Sequence, residues 1–287
     1  MNRYWFLMLF LCLSFSGKVA AQKEFSCSKL DSIKIVTILR EAKTDAGEQN
    51  RMLYFGKKFL GVPYVAHTLE EGDHEHLIIN VHELDCTTFV ETVFALYLCD
   101  KHDRRTLQDY CHFLETIRYR NGQMGDYTSR LHYFTWWGDD NEQLGLVKAI
   151  SKPGIAPFTA LQTINVNYMS VHPDLYKQLK LHPDFVPVIL RFEQASNGQK
   201  YHYIPKSLLG GSRKQLADVH DGDIISIITN KPGLDTSHVG IVFWDGGKLH
   251  LMHASSLYKK VVMDTTTFYD YSQRQKAHLG IRVYRPL

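Results

Sequence analysis

Apolar residues recur every third or fourth position over residues 30–42 and 48–60, the second run ending at Gly61, and again over 84–98 and 106–119. That spacing lines one face of a helix, so four helices are predicted in the first 120 residues. The last third changes character. Residues 223–229, 238–244, 248–253 and 279–284 are short β-branched or alternating segments separated by Gly, Pro and Asp turns, as in an antiparallel sheet, and residues 77–81 read as one further strand. Helices first and sheet second give an α+β fold. Between them, residues 121–197 show little periodicity and carry Pro153, Pro157, Pro173, Pro183 and Pro187. The expectation there is an irregular insertion with some helix near 175–181, and long insertions of this kind are usually binding surfaces or lids.

The turn between the second and third segments of the sheet sets a register. Asp245-Gly246 is a strong signal for a two-residue type I′ hairpin, which would make paired positions sum to 491 and put His238 directly opposite His253. With Gly246-Gly247 as the turn the sum becomes 493, and the two histidines are diagonal neighbours. Both choices leave them on one face, with Gly240, Val242, Leu249 and Leu251, an apolar surface suited to receiving a helix, while His250 points the other way.

The helix at 84–98 carries the most pointed chemistry. Asp85 is a good N-cap, which puts Cys86 in the first turn, where unpaired N–H groups and the positive end of the helix dipole favour a thiolate and lower the pKa below the free value of about 8.5. A free cysteine is also among the most buried residue types, so Cys86 alone reads equally as core. A thiolate nucleophile needs a base, and the base needs a group that fixes its tautomer. His238 and His253 supply both, which turns the reading of Cys86 towards catalysis. The turn Gly61-Val62-Pro63-Tyr64 fixes a tyrosine hydroxyl that can donate to an oxyanion; the plainer reading of Tyr64 is a half-buried tyrosine.

Composition narrows the classes. Hydrophobic residues make up 44% of the 287 and charged residues 22%, enough apolar content for a packed core, and a net charge of +3 with no Lys/Arg run gives no support to nucleic acid as a partner. Asn2 and Arg3 precede an apolar run from Tyr4 to Phe15, and Val19-Ala20-Ala21 offers a cleavage site, so residues 1–21 read as a signal peptide and 22–287 as one exported domain with no membrane span. Export leaves Cys27, Cys86, Cys99 and Cys111 in an oxidising compartment; their spacing speaks against a disulfide scaffold, and one bridge, Cys99 to Cys111, stays open. His74, His76 and His82 with Glu75 cluster in a polar loop without metal-ligand spacing, so no metal and no cofactor is expected.

Asp85-Cys86, His238-Val239-Gly240 and His253-Ala254-Ser255 together resemble the NlpC-type cell-wall cysteine hydrolases, compact relatives of papain. Gly61-Val62-Pro63-Tyr64 looks like that family's tyrosine-bearing turn, and Asp221-Gly222-Asp223 like its approach to the first strand. The resemblance covers the helix and the sheet. Cys86 and His238 lie much further apart in sequence than in minimal members, and that departure, with the run from Leu84 to Glu91 and Arg130-Leu131-His132 ahead of Trp136, looks more like the N-acetylmuramoyl-L-alanine amidase branch.

The resemblance implies a papain-like α+β domain that hydrolyses amides in peptidoglycan or its muropeptide fragments, with Cys86 as nucleophile, His238 as base and His253 as orienting group. It also implies that Tyr64 and the Cys86 N–H hold the oxyanion, and that Arg130, His132, Trp136 and Trp137 read the stem-peptide carboxylates and the sugar, since a guanidinium fork suits carboxylates. For the tryptophan pair a place in the core is an equal reading. Two other functions stay open: an endopeptidase cutting the stem peptide at its D-glutamyl bond, and a non-catalytic wall-binding relative.

Overall fold

The computed structural model describes residues 25–45 and 47–287; the expected signal segment 1–21 lies outside the described residues. Helix α1 (Lys29–Thr44) starts at Ser28, whose hydroxyl accepts the Asp31 N–H, and α2 (Arg51–Lys57) starts at Asn50, whose side chain accepts from Leu53. A two-stranded parallel ribbon, β1 (Phe25–Cys27) on β2 (Leu77–Ile79), lies beside them. Then come α3 (Cys86–Lys101) and α4 (Leu107–Arg118), each opened by a capping box, Asp85 with Thr88 and Thr106 with Asp109. All four expected helices are present, the second shorter than its apolar run.

The stretch 121–197 is far more regular than its sequence suggests. It contains α5 (Phe134–Gln143), β3 (Val147–Ile150), β4 (Ala160–Thr163), the short α6 (Tyr168–Val171) and α7 (Lys177–Leu181), and α8 (Phe185–Ser196). Pro187 is compatible with α8 because it sits in the first turn, where its missing N–H would have had no partner. Gly138 lets α5 approach the sheet: a Cβ there would clash with the ring of Tyr284.

After β5 (Lys200–Pro205) come β6 (Ile224–Thr229), β7 (Thr236–Asp245), β8 (Lys248–Ser255), β9 (Lys260–Met263), α9 (Phe268–Gln273) and β10 (His278–Pro286). The main sheet runs β4-β5-β10-β6-β7-β8-β9, with β3 also on β10, and every pairing in it is antiparallel. Its register settles the hairpin. Asp245 pairs with Lys248 and Ile241 with Met252, so the turn is Gly246-Gly247 and the sum is 493 rather than 491. Both turn residues have positive φ, 53° and 74°, which a type I′ turn demands twice and two glycines meet without strain.

Two apolar layers cover the sheet. Phe89, Val90, Val93 and Phe94 of α3 pack with Val239, Ile241, Met252 and Ala254 on one face. The other face, with Val242, Leu249 and Leu251, is covered by Phe268 of α9 and by Leu209, Leu216 and Val219. The apolar surface beside His238 therefore receives α9, and α3 takes the reverse side. Parity is the reason: α3 rests on the odd positions of β7, and the histidine is on an even one.

Candidate active site

Two irregularities in the sheet bring α3 and the histidines together. Pairing of β6 with β7 shifts between Ile227↔His238 and Ile228↔Thr236, leaving Ser237 as an extra residue, a bulge immediately before His238. Pairing of β7 with β8 stops at Ile241↔Met252, while β8 continues with β9 out to Ser255. The ladder between the two strands ends there, so they part as hydrogen-bonded partners, and the first turn of α3 lies against β7 at this point, with the Cys86 sulfur near the Val239 and Thr87 backbone.

Cys86, Thr87 and His238 line one cavity of about 190 Å³, with Leu131, His132, Tyr133, Phe134, Met169 and Tyr176 on one side and the run from Leu234 to Val239 on the other. His238 Nε2 lies 2.6 Å from His253 Nδ1, with the rings edge to face. The diagonal register thus still joins the two imidazoles. Beyond His253 stands Asp264, its Oδ2 3.9 Å from His253 Nε2.

Electrostatics departs from the expectation of a low-pKa thiol. Solvent reaches one side of Cys86, yet the protein crowded round its sulfur, reinforced by the Asp85 charge, pushes the thiol up to about 12, and the Val239 and Thr87 donors only partly oppose this. Burial is the larger cause, and the N-cap adds to it. Asp85 already holds the Thr88 N–H at 2.8 Å, so the end of the helix is spoken for by one anion and resists a second. Burial, then His253 and His278, hold His238 well below its ordinary 6.5. The same surroundings favour the neutral form of both groups that line the cavity, the Cys86 thiol and the His238 imidazole.

The remaining expected site residues divide. Tyr64 is near Cys86: burial, then the Cys86 and Asp85 charges, push its hydroxyl up to about 12, so it stays a proton donor. His132 lines the cavity, with Nε2 donating to the Tyr127 carbonyl at 2.8 Å; burial and then Arg130 bring it down to about 3, so it is neutral. Arg130 is not among the residues lining the cavity. It is buried and fully engaged, by Glu75 at 2.6 and 3.1 Å, Glu70 at 3.0 Å and the Leu69 carbonyl at 3.1 Å, and it ties down the 69–75 loop. Trp136 and Trp137 belong to the core: Trp136 donates to Ser196 Oγ at 3.1 Å, and Trp137, fully buried, stacks on Phe134 at 4.7 Å.

His82 pairs with Asp31 at 2.6 Å, and His76 Nδ1 lies 3.0 Å from the His74 carbonyl. Cys27, Cys86, Cys99 and Cys111 are all free thiols. Sequence reasoning missed the aromatic wall of Tyr133, Phe134 and Tyr176, as well as Asp235 and Asp264. Only Asp264 left a trace, an Asp-Thr-Thr turn after a short β-branched run.

The chain shares 42% identity with an N-acetylmuramoyl-L-alanine amidase from Bacteroides uniformis, over 82% of this chain and 97% of that one, at a TM-score of 0.76. A Bacteroides fragilis protein described as a candidate xylanase is 42% identical over 80% of this chain and 99% of its own, at 0.74. A Legionella pneumophila protein at 22% identity shares the fold, with a TM-score of 0.69 over 90% of this chain and 95% of its own. No curated protein matches. The AmiA-like family model, described as N-acetylmuramoyl-L-alanine amidase-like, matches residues 54–281, from α2 through the parted strands to β10, and the chain belongs to that family.

Proposed function

We propose that the protein is an exported cysteine amidase of NlpC-type, papain-like design that cleaves the bond between the lactyl carbonyl of N-acetylmuramic acid and L-alanine in peptidoglycan or its fragments. The observation that carries this reading is a thiol at a helix N-terminus and an imidazole lining one cavity, the imidazole hydrogen-bonded from behind at 2.6 Å. Family membership supports the substrate class. The apolar, cleavable residues 1–21 support export, and among the described residues no helix is long and apolar enough to cross a membrane.

The chemistry follows from the neutral pair. As the Cys86 sulfur bonds to the amide carbonyl carbon, its proton passes to His238, and the carbonyl oxygen becomes an oxyanion facing the unpaired Cys86 N–H and the Tyr64 hydroxyl. Protonated His238 hands that proton to the departing alanine nitrogen as the C–N bond breaks, leaving a muramoyl thioester. Water, deprotonated by His238, then frees the sugar acid and restores the thiol. A glycosidase reading fits less well. It needs two facing carboxylates, and among the described residues lining the cavity Asp235 alone carries one, held by the Thr135 N–H and hydroxyl at 2.7 Å each.

Mass spectrometry of products from a defined muropeptide tests the reading. Free N-acetylmuramic acid beside an intact peptide beginning with L-alanine is expected, and Cys86→Ser should reduce the rate by on the order of 10⁴-fold or more. Stem peptides cut internally, with alanine still on the sugar, would replace the amidase by the D-glutamyl endopeptidase; full activity in Cys86→Ser would end the cysteine mechanism.

A further inference from the structure

Behind the paired histidines the protein buries a carboxylate that neither the family pattern nor the reaction scheme above uses. Asp264 follows β9, with its side chain 3% exposed. Three ties fix it: Oδ1 accepts the Thr266 N–H at 2.8 Å, its own N–H donates to the Leu251 carbonyl at 2.9 Å, and its carbonyl lies 3.0 Å from His250 Nδ1. Its free oxygen, Oδ2, faces His253 Nε2 at 3.9 Å, and that nitrogen is buried with no closer hydrogen-bond partner. Tyr271 of α9 and His278 of β10 close the surroundings, the tyrosine ring 5.6 Å from His253 and 5.7 Å from His278.

We propose that Asp264 is a positioning residue that sets the tautomers of both histidines in series, so that the nitrogen His238 turns away from His253 is the bare one. The inference rests on reading Cys86 and His238 as nucleophile and base. A carboxylate only accepts, so Asp264 favours the His253 tautomer with its proton on Nε2. Neutral His253 then has a bare Nδ1, and the single proton in the 2.6 Å contact must come from His238 Nε2. His238 Nδ1 is left unprotonated and able to take the thiol proton. Burial works against the Asp264 anion, but the facing His253 ring and the Thr266 hydrogen bond outweigh it and keep the carboxyl below its ordinary value. Without that charge, His253 can turn its proton to Nδ1, donate to His238 Nε2, and leave His238 protonated on Nδ1, the wrong nitrogen for a base. When His238 takes a proton during attack, the same carboxylate stabilises the cation shared by the two rings, and the long 3.9 Å contact has room to shorten as that charge develops.

The test uses Asp264→Asn, which keeps the shape and the Thr266 contact, in the full chain labelled with ¹⁵N-histidine and assigned with His253→Gln. In the wild type, ring-nitrogen shifts should show both His253 and His238 protonated on Nε2; in Asp264→Asn the His238 proton should move to Nδ1. Turnover on the muropeptide should fall by ~10- to 10³-fold at unchanged KM, less than the ~10⁴-fold known for a carboxylate in direct contact with the base. In a His253→Gln background Asp264→Asn should cost nothing further, whereas a merely structural role would cost the same in both. Wild-type His253 protonated on Nδ1, or wild-type turnover in Asp264→Asn, would overturn the relay. The ring shifts need no substrate. A wild type that shows the Nε2 pattern yet hydrolyses no muropeptide therefore upholds the relay and overturns the proposed reaction.

Discussion

In the proposed reaction His238 must accept a proton, which it can do only while neutral, and burial, then His253 and His278 around it, favour that form. The sign of its pH dependence follows. Its proton is already off well below pH 6.5, so kcat/KM should be flat from about pH 6.5 upward and be lost only as pH falls through that lowered value. The thiol, pushed up to about 12, adds no limb at neutral pH. Initial rates on a muropeptide between pH 4 and 9 check this; an acid limb centred near pH 7 would show that His238 is not the group titrating. Cys86, His238 and His253 could be singled out from sequence because each sits in a short local pattern: an N-cap, or a strand phased by a nearby turn. Arg130 could not. The glutamates that engage it, Glu70 and Glu75, stand 60 and 55 positions away, and nothing in Arg130-Leu131-His132 distinguishes an arginine aimed at a substrate from one already satisfied. Asp85 misled in another way. The residue that marks the helix start is also a charge that, after burial, pushes the thiol pKa up rather than down.

At the level of elements, the four strands β6, β7, β8 and β10 were legible while β3, β4, β5 and β9 were not, and the hairpin was legible to within one choice, whether it turned on Asp245-Gly246 or Gly246-Gly247. The face shared by the histidines was fixed under both because the two sums differ by an even number. The bulge at Ser237 and the parting of β7 from β8 were not legible, since both depend on what packs against the strands. Pro187 hid α8 because a proline inside an apolar run reads as a break until the helix start is known to lie two residues before it. The parted strands make Gly240 critical. It stands opposite His253 in the continued register, and a Cβ there would lie 3.0 Å from the Met252 carbonyl, 3.1 Å from His253 Cβ and 2.8 Å from a Leu251 methyl. Leu251 can rotate away, but β8 has to move to relieve the other two. Gly240→Ala should therefore cost about 1 to 3 kcal/mol in stability and lower turnover further than its melting temperature alone would suggest. Thermal unfolding and muropeptide turnover measured on one preparation decide it; wild-type turnover would mean that the place of His253 tolerates the shift.

The whole molecule joins two halves of different character across the cavity. One wall belongs to the sheet and carries Leu234 to Val239; the other comes from the 121–197 region, as Leu131 to Phe134, Met169 and Tyr176. The groups that this region brings to the cavity are apolar and aromatic, and the expected arginine and tryptophans are not among them. That composition changes what the wall can do. Rings and a thioether grip the flat face of a sugar or the methyl groups of alanine and lactate, and they do not read charge. If such contacts hold the substrate while its amide is placed against Cys86, their energy goes into positioning the reacting atoms, and removing them lowers turnover as well as affinity. Tyr176 offers the variant: it is half-buried, with one side of its ring packed on the edge of the core and the other on the cavity, so thermal unfolding of the variant is read beside its rates. Tyr176→Ala should lower kcat/KM for a full muropeptide by about tenfold or more, ~1.4 kcal/mol. A minimal substrate cut back to muramoyl-L-alanine should be slow with the wild type and scarcely slower with the variant, because the contacts that Tyr176 makes are already missing. The comparison needs four rate measurements, two enzymes on two substrates. Equal losses on both substrates would place Tyr176 in the support of the catalytic groups instead, and would move the grip on the remote peptide to the sheet side of the cavity.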